Sequence, residues 1–230
     1  MVYYTVRMDE LTMVRHLENF FAQQGFLTKK EVSAGYGRAD LVLVKLNGKK
    51  CKVRKDHKQS VPLLKEKFFQ VLRQLPDIKN KNSNPLSFEE LISRVSVSKN
   101  YLKYFLLPEL EKNGYIKKID DKYFYKVNGW VPLAKEVVAI EAKLSSWRQG
   151  FIQANRYTSF ADKSYLALPF NKGHLVDKAL LRKHNIGLYL LSENNKLVTE
   201  AIRPINKTRA TEDKRNFVTE FYLNEVFNSV

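Results

Sequence analysis

Cysteine is almost missing from this chain. Cys51 stands alone in 230 residues, so no internal disulfide can staple the fold, and no obvious histidine partner marks it as a nucleophile. The four histidines, His16, His57, His174 and His184, are scattered without ligand spacing, which argues against zinc. Glycine is also scarce, at nine residues. No Walker or Rossmann pattern occurs, so nucleotide hydrolysis and dinucleotide binding have no support. No apolar run reaches the roughly 20 residues that cross a bilayer. The stretch from Met1 to Asp9 lacks a charged region followed by an apolar one, so no secretory signal is expected. The expected location is cytoplasmic, with no membrane partner.

What the chain has in excess is positive charge. Forty Lys and Arg against 24 Asp and Glu give a formal net charge of +16. Such an excess suits a polyanionic partner, nucleic acid before an anionic membrane, although a lysine-rich solvated surface would read the same way. The hydrophobic fraction of 44% is ordinary for a packed domain.

Periodicity divides the chain. Met13, Val14, Leu17, Phe20 and Phe21 recur at helical spacing and predict a first helix over Asp9–Gln24, ended at Gly25. Strands are expected near Phe26–Val32 and Ala39–Leu46, with Asn47-Gly48 as a turn. Lys49 to Lys58 reads KKCKVRKDHK and is expected to be an exposed basic connector. From Val61 to Val127 the order is three helices and a hairpin. These are Leu63–Leu75, a second helix led by Ser87 and Glu90 as a capping box, a third over Ser98–Asn113 that Pro108 should kink or shorten, and strands Tyr115–Ile119 and Tyr123–Val127. Afterwards strands at Glu136–Glu141, Ser164–Leu168, Gly187–Leu191 and Leu197–Ile202 alternate with helices at Trp147–Phe160 and Lys172–His184. That alternation predicts an α/β sheet.

Two strand-like segments carry charge where a core strand should not. One is Gly37-Arg38-Ala39-Asp40-Leu41-Val42-Leu43-Val44. The other is Val137-Val138-Ala139-Ile140-Glu141-Ala142-Lys143. Carboxylates are rarely buried unless paired or bound to metal. Glu141 and Lys143, two apart on a strand, share one face. A surface ion pair at a strand end is the plain alternative for these two residues alone.

Gly37-Arg38-Ala39-Asp40 followed by Glu141-Ala142-Lys143 resembles the PD-(D/E)xK, or restriction-endonuclease-like, nuclease superfamily, with Ala39 in place of the proline. Gln153 and Tyr157 on the following helix look like the Gln-x-x-x-Tyr motif of its exonuclease-like branch, which implies that they join the catalytic set by contacting the phosphate backbone near the metal. A polar helix face with Tyr157 partly packed is their plain alternative. The resemblance spans roughly residues 9–46 and 133–204, though each motif alone is short and common. It implies a mixed sheet flanked by helices, catalysis by Asp40, Glu141 and Lys143, and Mg²⁺ (or Mn²⁺) held by Asp40, Glu141 and the carbonyl of Ala142. Hard oxygen ligands suit those ions. A metal lowers the pKa of bound water, and a lysine beside it can orient that water or offset developing charge. In the family an acidic residue on the first helix often reaches the metal. Glu10 lies near the middle of the apolar face and is preferred over Glu18, with helix-dipole stabilisation as its plain alternative.

The helix order between the two segments resembles a winged helix-turn-helix module of about 65 residues. The resemblance implies a third helix in the major groove. Its early residues Ser98, Lys99, Asn100 and Lys103 would face bases or phosphate, and Lys117, Lys118 and Lys122 would touch the backbone. Winged helices also bind proteins. The expected layout is residues 1–48 and 130–230 as a nuclease-like core and 49–129 as the basic connector with the inserted module.

The leading expectation is a metal-dependent DNA nuclease. A non-catalytic DNA-binding or regulatory protein on an inactive nuclease fold is the rival. RNA is a secondary candidate, since no RRM or KH signature occurs and the nuclease motif does not distinguish sugars. Cutting both strands often uses two sites, so a homodimer is compatible with the leading reading, but no interface can be read in the sequence.

Overall fold

A computed structural model describes residues 9–34, 37–80, 83–192, 197–205 and 210–223. The chain divides into two compact units, Met1–Leu46 with Ala134–Val218, and Asn47–Leu133 with Thr219–Val230. The sequence layout had assigned everything after 130 to the core. Thr219 onward groups with the other unit instead.

The first helix, α1 (Glu10–Ala22), starts where the Asp9 carboxylate accepts a hydrogen bond from Thr12 N at 2.7 Å, satisfying one amide that the helix cannot. Gly25, at φ +79°, lets the chain reverse out of it. Strands β1 (Leu27–Ser33) and β2 (Arg38–Leu46) pair antiparallel.

The chain then enters the second unit, where one expectation holds only in part. Lys49–Lys58 is largely exposed, as expected, but most of it is helix rather than connector. Asn47 caps α2 (Gly48–Asp56) by accepting from Lys50 N, and Cys51 and Arg54 are buried. Those two lie three residues apart and therefore share a helix face; a reading that counts charge alone misses this. Next come α3 (Glu66–Gln74), the short strand β3 (Leu86–Ser87), and α4 (Phe88–Arg94), which carries the expected Ser87/Glu90 capping box. Leu63 to Lys65 do not join α3, and Leu63 N donates to the Glu220 carboxylate at 2.9 Å.

The long helical stretch that follows is composite. It comprises α5 (Lys99–Tyr101), a π-helical turn over Leu102–Leu106, and α6 (Leu107–Lys112). Pro108 has no N–H to give, and the stretch absorbs it by widening rather than breaking: Leu107 N donates to Leu102 O. Strands β4 (Ile116–Ile119) and β5 (Tyr123–Lys126) complete a three-stranded sheet in the order β3-β5-β4.

Back in the first unit are β6 (Ala134–Ala142), α7 (Trp147–Tyr157), β7 (Lys163–Pro169), α8 (Lys178–Lys183), β8 (Gly187–Leu191), β9 (Val198–Ile202) and the greater part of α9 (Glu212–Glu220), whose last two residues group with the second unit. The single helix expected over Lys172–His184 is split into a 3-10 segment, Phe170–Leu175, and α8, which Asp177 caps through Leu180 N. No pattern in the sequence had suggested α9.

The six strands lie in the order β1-β2-β6-β7-β8-β9. Only β6–β7 and β7–β8 are parallel, so the sheet is mixed. Alternate residues face opposite sides. Leu41, Leu43, Val138, Ile140 and Ala167 pack with Met13, Leu17 and Phe21 of α1. Leu166, Leu168, Leu188 and Leu190 pack with Trp147 and Ala154 of α7 and Leu181 of α8. Helices therefore cover both faces. Among the described residues no helix is long and apolar enough to cross a membrane.

Candidate functional site

Antiparallel pairing of β2 and β6 joins the two charged segments. Leu41 lies across from Ile140, and one more step in that register sets Asp40 across from Glu141. Side chains directly opposite on neighbouring strands share a face. The Asp40 Oδ2 atom accepts a hydrogen bond from Ala142 N at 2.8 Å. Ala142 thus meets Asp40 through its amide, whereas the sequence reading assigned a role to its carbonyl.

Glu141 is fully buried, at 0% exposure. Its Oε1 pairs with Lys143 Nζ at 2.7 Å. Its Oε2 lies 2.5 Å from the Tyr157 hydroxyl, which is also 2.8 Å from Arg38 O. A phenol has one proton to donate, so that proton serves the carboxylate or the carbonyl, not both. Glu10 on α1 reaches the same place. Its Oε1 accepts from Leu144 N at 3.2 Å and its Oε2 is 3.8 Å from Lys143 Nζ. Glu18 is elsewhere, bound to Lys30 and Thr28.

Electrostatics follow from this crowding. Burial pushes the carboxyls of Asp40 and Glu141 above their usual values, against the pull of the Ala142 amide on one and of Lys143 and Tyr157 on the other. Burial alone would lower Lys143, yet its bond to Glu141 and the nearby Asp40 and Glu10 raise it. The Tyr157 phenol rises through burial and its bond to Glu141. The place is anionic by count, with three carboxylates around one ammonium. Among the described residues no group of three or more His, Cys, Asp or Glu is arranged to hold a metal ion.

Gln153, one turn before Tyr157, buries its Oε1 without a hydrogen-bond partner among the described residues. Buried amide oxygens are ordinarily satisfied.

One residue of this site went unremarked in the sequence. Gly150 sits inside α7, where glycine is unfavourable. A Cβ there would lie 2.5 Å from Leu166 Cδ1 and 2.9 Å from Lys143 Cγ. The missing side chain is the space through which Lys143 passes. A mid-helix glycine is itself a signal of close approach. Gly150→Ala should gain about 1 kcal/mol in helix propensity and lose about 1–3 kcal/mol to overpacking. The expected outcome is a lower thermal midpoint, with Lys143 displaced from Glu141, read by melting and by the variant's crystal structure.

The residues assigned to DNA lie in the second unit. Asn100, Lys103, Lys117 and Lys122 are exposed. Lys99 and Lys118 are engaged, with Glu89 and Asp121, each at 2.9 Å. Lys103 Nζ lies over the Tyr104 ring at 5.2 Å from its centroid.

No known family model matches the chain, and no curated protein matches it. One solved structure, a protein of unknown function from Silicibacter pomeroyi, is similar over 96% of this chain and 90% of its own, at 10% identity and a TM-score of 0.45. The chain is a mixed α/β protein whose six-stranded mixed sheet, flanked by helices, brings Asp40, Glu141, Lys143, Tyr157 and Glu10 to one place.

Proposed function

We propose that this protein is a divalent-metal-dependent DNA nuclease, built on a restriction-endonuclease-like core with an inserted winged helix-turn-helix module that binds or positions DNA. One observation carries the reading. Glu141 is buried at the end of a core strand, bonded to Lys143 and Tyr157, with Asp40 beside it. Burying a carboxylate is costly, and a site that does so while crowding a second one beside it resembles an ion-binding place more than a stabilising ion pair.

Asp40 and Glu141 would hold Mg²⁺ or Mn²⁺ through carboxylate oxygens, with the Ala142 carbonyl completing the protein's share. When bound, the ion supplies Lewis acidity and an acidified water for attack on phosphorus. The chain's own groups do the rest. Lys143 places its ammonium beside Glu141, where it can orient the attacking water or offset negative charge gathering on the phosphate oxygens. Tyr157, expected at the phosphate backbone, is instead packed inside at 1% exposure and braces the Glu141 carboxylate at Oε2. Glu10 holds Leu144 N and draws Lys143 from the other side. Gln153 has an unsatisfied amide oxygen suited to accept from a water near the phosphate, and its amide Nε2 is the group that could donate to a phosphate oxygen.

The rival reading is a DNA-binding protein that does not cut. The arrangement favouring it is that Lys143 already pairs with Glu141, and the Ala142 amide already bonds Asp40, without an ion. Purified protein incubated with plasmid and linear DNA in Mg²⁺ or Mn²⁺ separates the two. Metal-dependent strand cleavage is expected, abolished by chelation and by Asp40→Ala. Salt-sensitive binding with no cleavage in either metal would establish the rival.

A further inference from the structure

The second unit carries a cleft that the proposed chemistry does not use. It is about 470 Å³, within the range of small-ligand sites. Phe88, Tyr104, Tyr123 and Phe124 line it, with Lys103 and Lys122 at its edge. Tyr104 is 61% exposed and its neighbour Phe105 57%. Both belong to the π-helical turn that precedes Pro108 in the third helix. Adjacent large aromatics left this open mark an interaction surface more often than chance.

Charge selects among occupants. Residues 47–133 hold 19 Lys and Arg against 9 Asp and Glu, a net charge of 19 − 9 = +10. Of the carboxylates lining the cleft, Glu89 is paired with Lys99 and Asp121 with Lys118. Glu111 has no ion-pair partner among the described residues and is the acceptor left over. Lys122 and Lys103 have no carboxylate partner among the described residues. Aromatic faces between unpaired lysines are the chemistry of single-strand binding, in which bases stack on rings and ammonium groups follow the phosphates. Base edges in an intact duplex are read instead by polar side chains entering a groove.

We propose that this cleft takes an unpaired nucleobase, stacked on Tyr104 and Tyr123, with Lys103 and Lys122 on its flanking phosphates and Glu111 available to an exocyclic amine. The module then directs the protein to DNA that is bulged, overhanging or locally open. The proposal rests on the DNA reading above but not on cleavage.

Binding is therefore measured with the full chain in a chelator, where no cutting occurs, by anisotropy of a labelled duplex and of the same duplex carrying one unpaired 2-aminopurine. The bulged DNA should bind about tenfold more tightly, the order expected for one base–aromatic stack, and 2-aminopurine emission should fall as the base enters the cleft. Tyr104→Ala should remove the preference while leaving duplex affinity and the thermal midpoint unchanged, and Tyr104→Trp should restore it. Lys122→Ala should weaken both DNAs alike. Equal affinity for the two DNAs would overturn the proposal, as would an equal loss on both from Tyr104→Ala. Self-association abolished by Tyr104→Ala would also overturn it, assigning the cleft to a second copy. Binding of neither DNA would sink the DNA reading itself.

Discussion

Replacing Asp40 by asparagine should lower metal-dependent cleavage by at least about 10²–10³-fold, the scale on which removal of one group that stabilises a transition state is felt. The same change should leave the fold intact or slightly firmer. Asparagine matches aspartate in shape, and its amide oxygen can still accept from Ala142 N, the bond now made by Oδ2 at 2.8 Å. Burial already disfavours the charged form of Asp40, so a neutral group relieves desolvation rather than adding to it. Activity and stability therefore separate in opposite directions, a behaviour expected where a site is held at the expense of stability. Parallel measurement of cleavage rate and thermal midpoint checks this. A variant that loses both together would make Asp40 a structural residue and remove it from the chemistry.

The largest effect on stability should come from the second unit, at Arg54 and Glu220. Arg54 is fully buried. Its Nη1 is 2.8 Å from Glu220 Oε1, its Nη2 meets the Tyr115 hydroxyl at 2.5 Å, and its Nε donates to Gln59 O at 2.9 Å. The guanidinium centre lies 4.5 Å from the centroid of the Trp130 ring. Four hydrogen bonds engage the five N–H donors of this cation, and Glu220 in turn accepts from Leu63 N. Glu220→Ala leaves that charge in the interior without a counter-ion and should cost about 3–5 kcal/mol. Arg54→Met strands the carboxylate in the same way. The double variant should recover much of the loss, because a buried pair replaced by apolar groups is often near neutral. Leu63 N would still lack a partner, whereas Gln59 O keeps the Tyr115 hydroxyl at 3.2 Å. Denaturant unfolding of the four proteins in a double-mutant cycle measures the coupling. Single losses that simply add would mean that the two residues do not depend on one another.

What the sequence revealed, and what it hid, follows one physical division. Periodicity reports burial on one side of an element, so α1, the core strands and α7 were legible to within a few residues. Capping chemistry is local, so the Ser87/Glu90 box was legible too. Asp40, Glu141 and Lys143 could be nominated as one site because charge stood out of place in apolar strand patterns, whereas Tyr157 and Glu10 joined them only through the family resemblance. Their convergence depends on β2–β6 register, which no local pattern contains. The basic segment failed for the opposite reason. Arg54 counts as surface charge in composition, but its partners Glu220, Tyr115 and Trp130 are distant in sequence. Long-range compensation of a buried charge leaves no local trace. Pro108 was expected to kink or shorten its helix, yet the helical stretch continues through it to Lys112. The π turn over Leu102–Leu106 that precedes it was not foreseeable from the proline alone.

The dependence of Arg54 on Glu220 bears on how this protein can be divided for study. A recombinant piece ending near Leu133 would include the cation and omit the anion that neutralises it. Such a piece should be expressed together with a peptide containing the Glu220 helix end, or with Arg54 already changed to methionine, if it is to give a soluble product. Limited proteolysis near Val218 should likewise loosen a region more than eighty residues upstream in the chain.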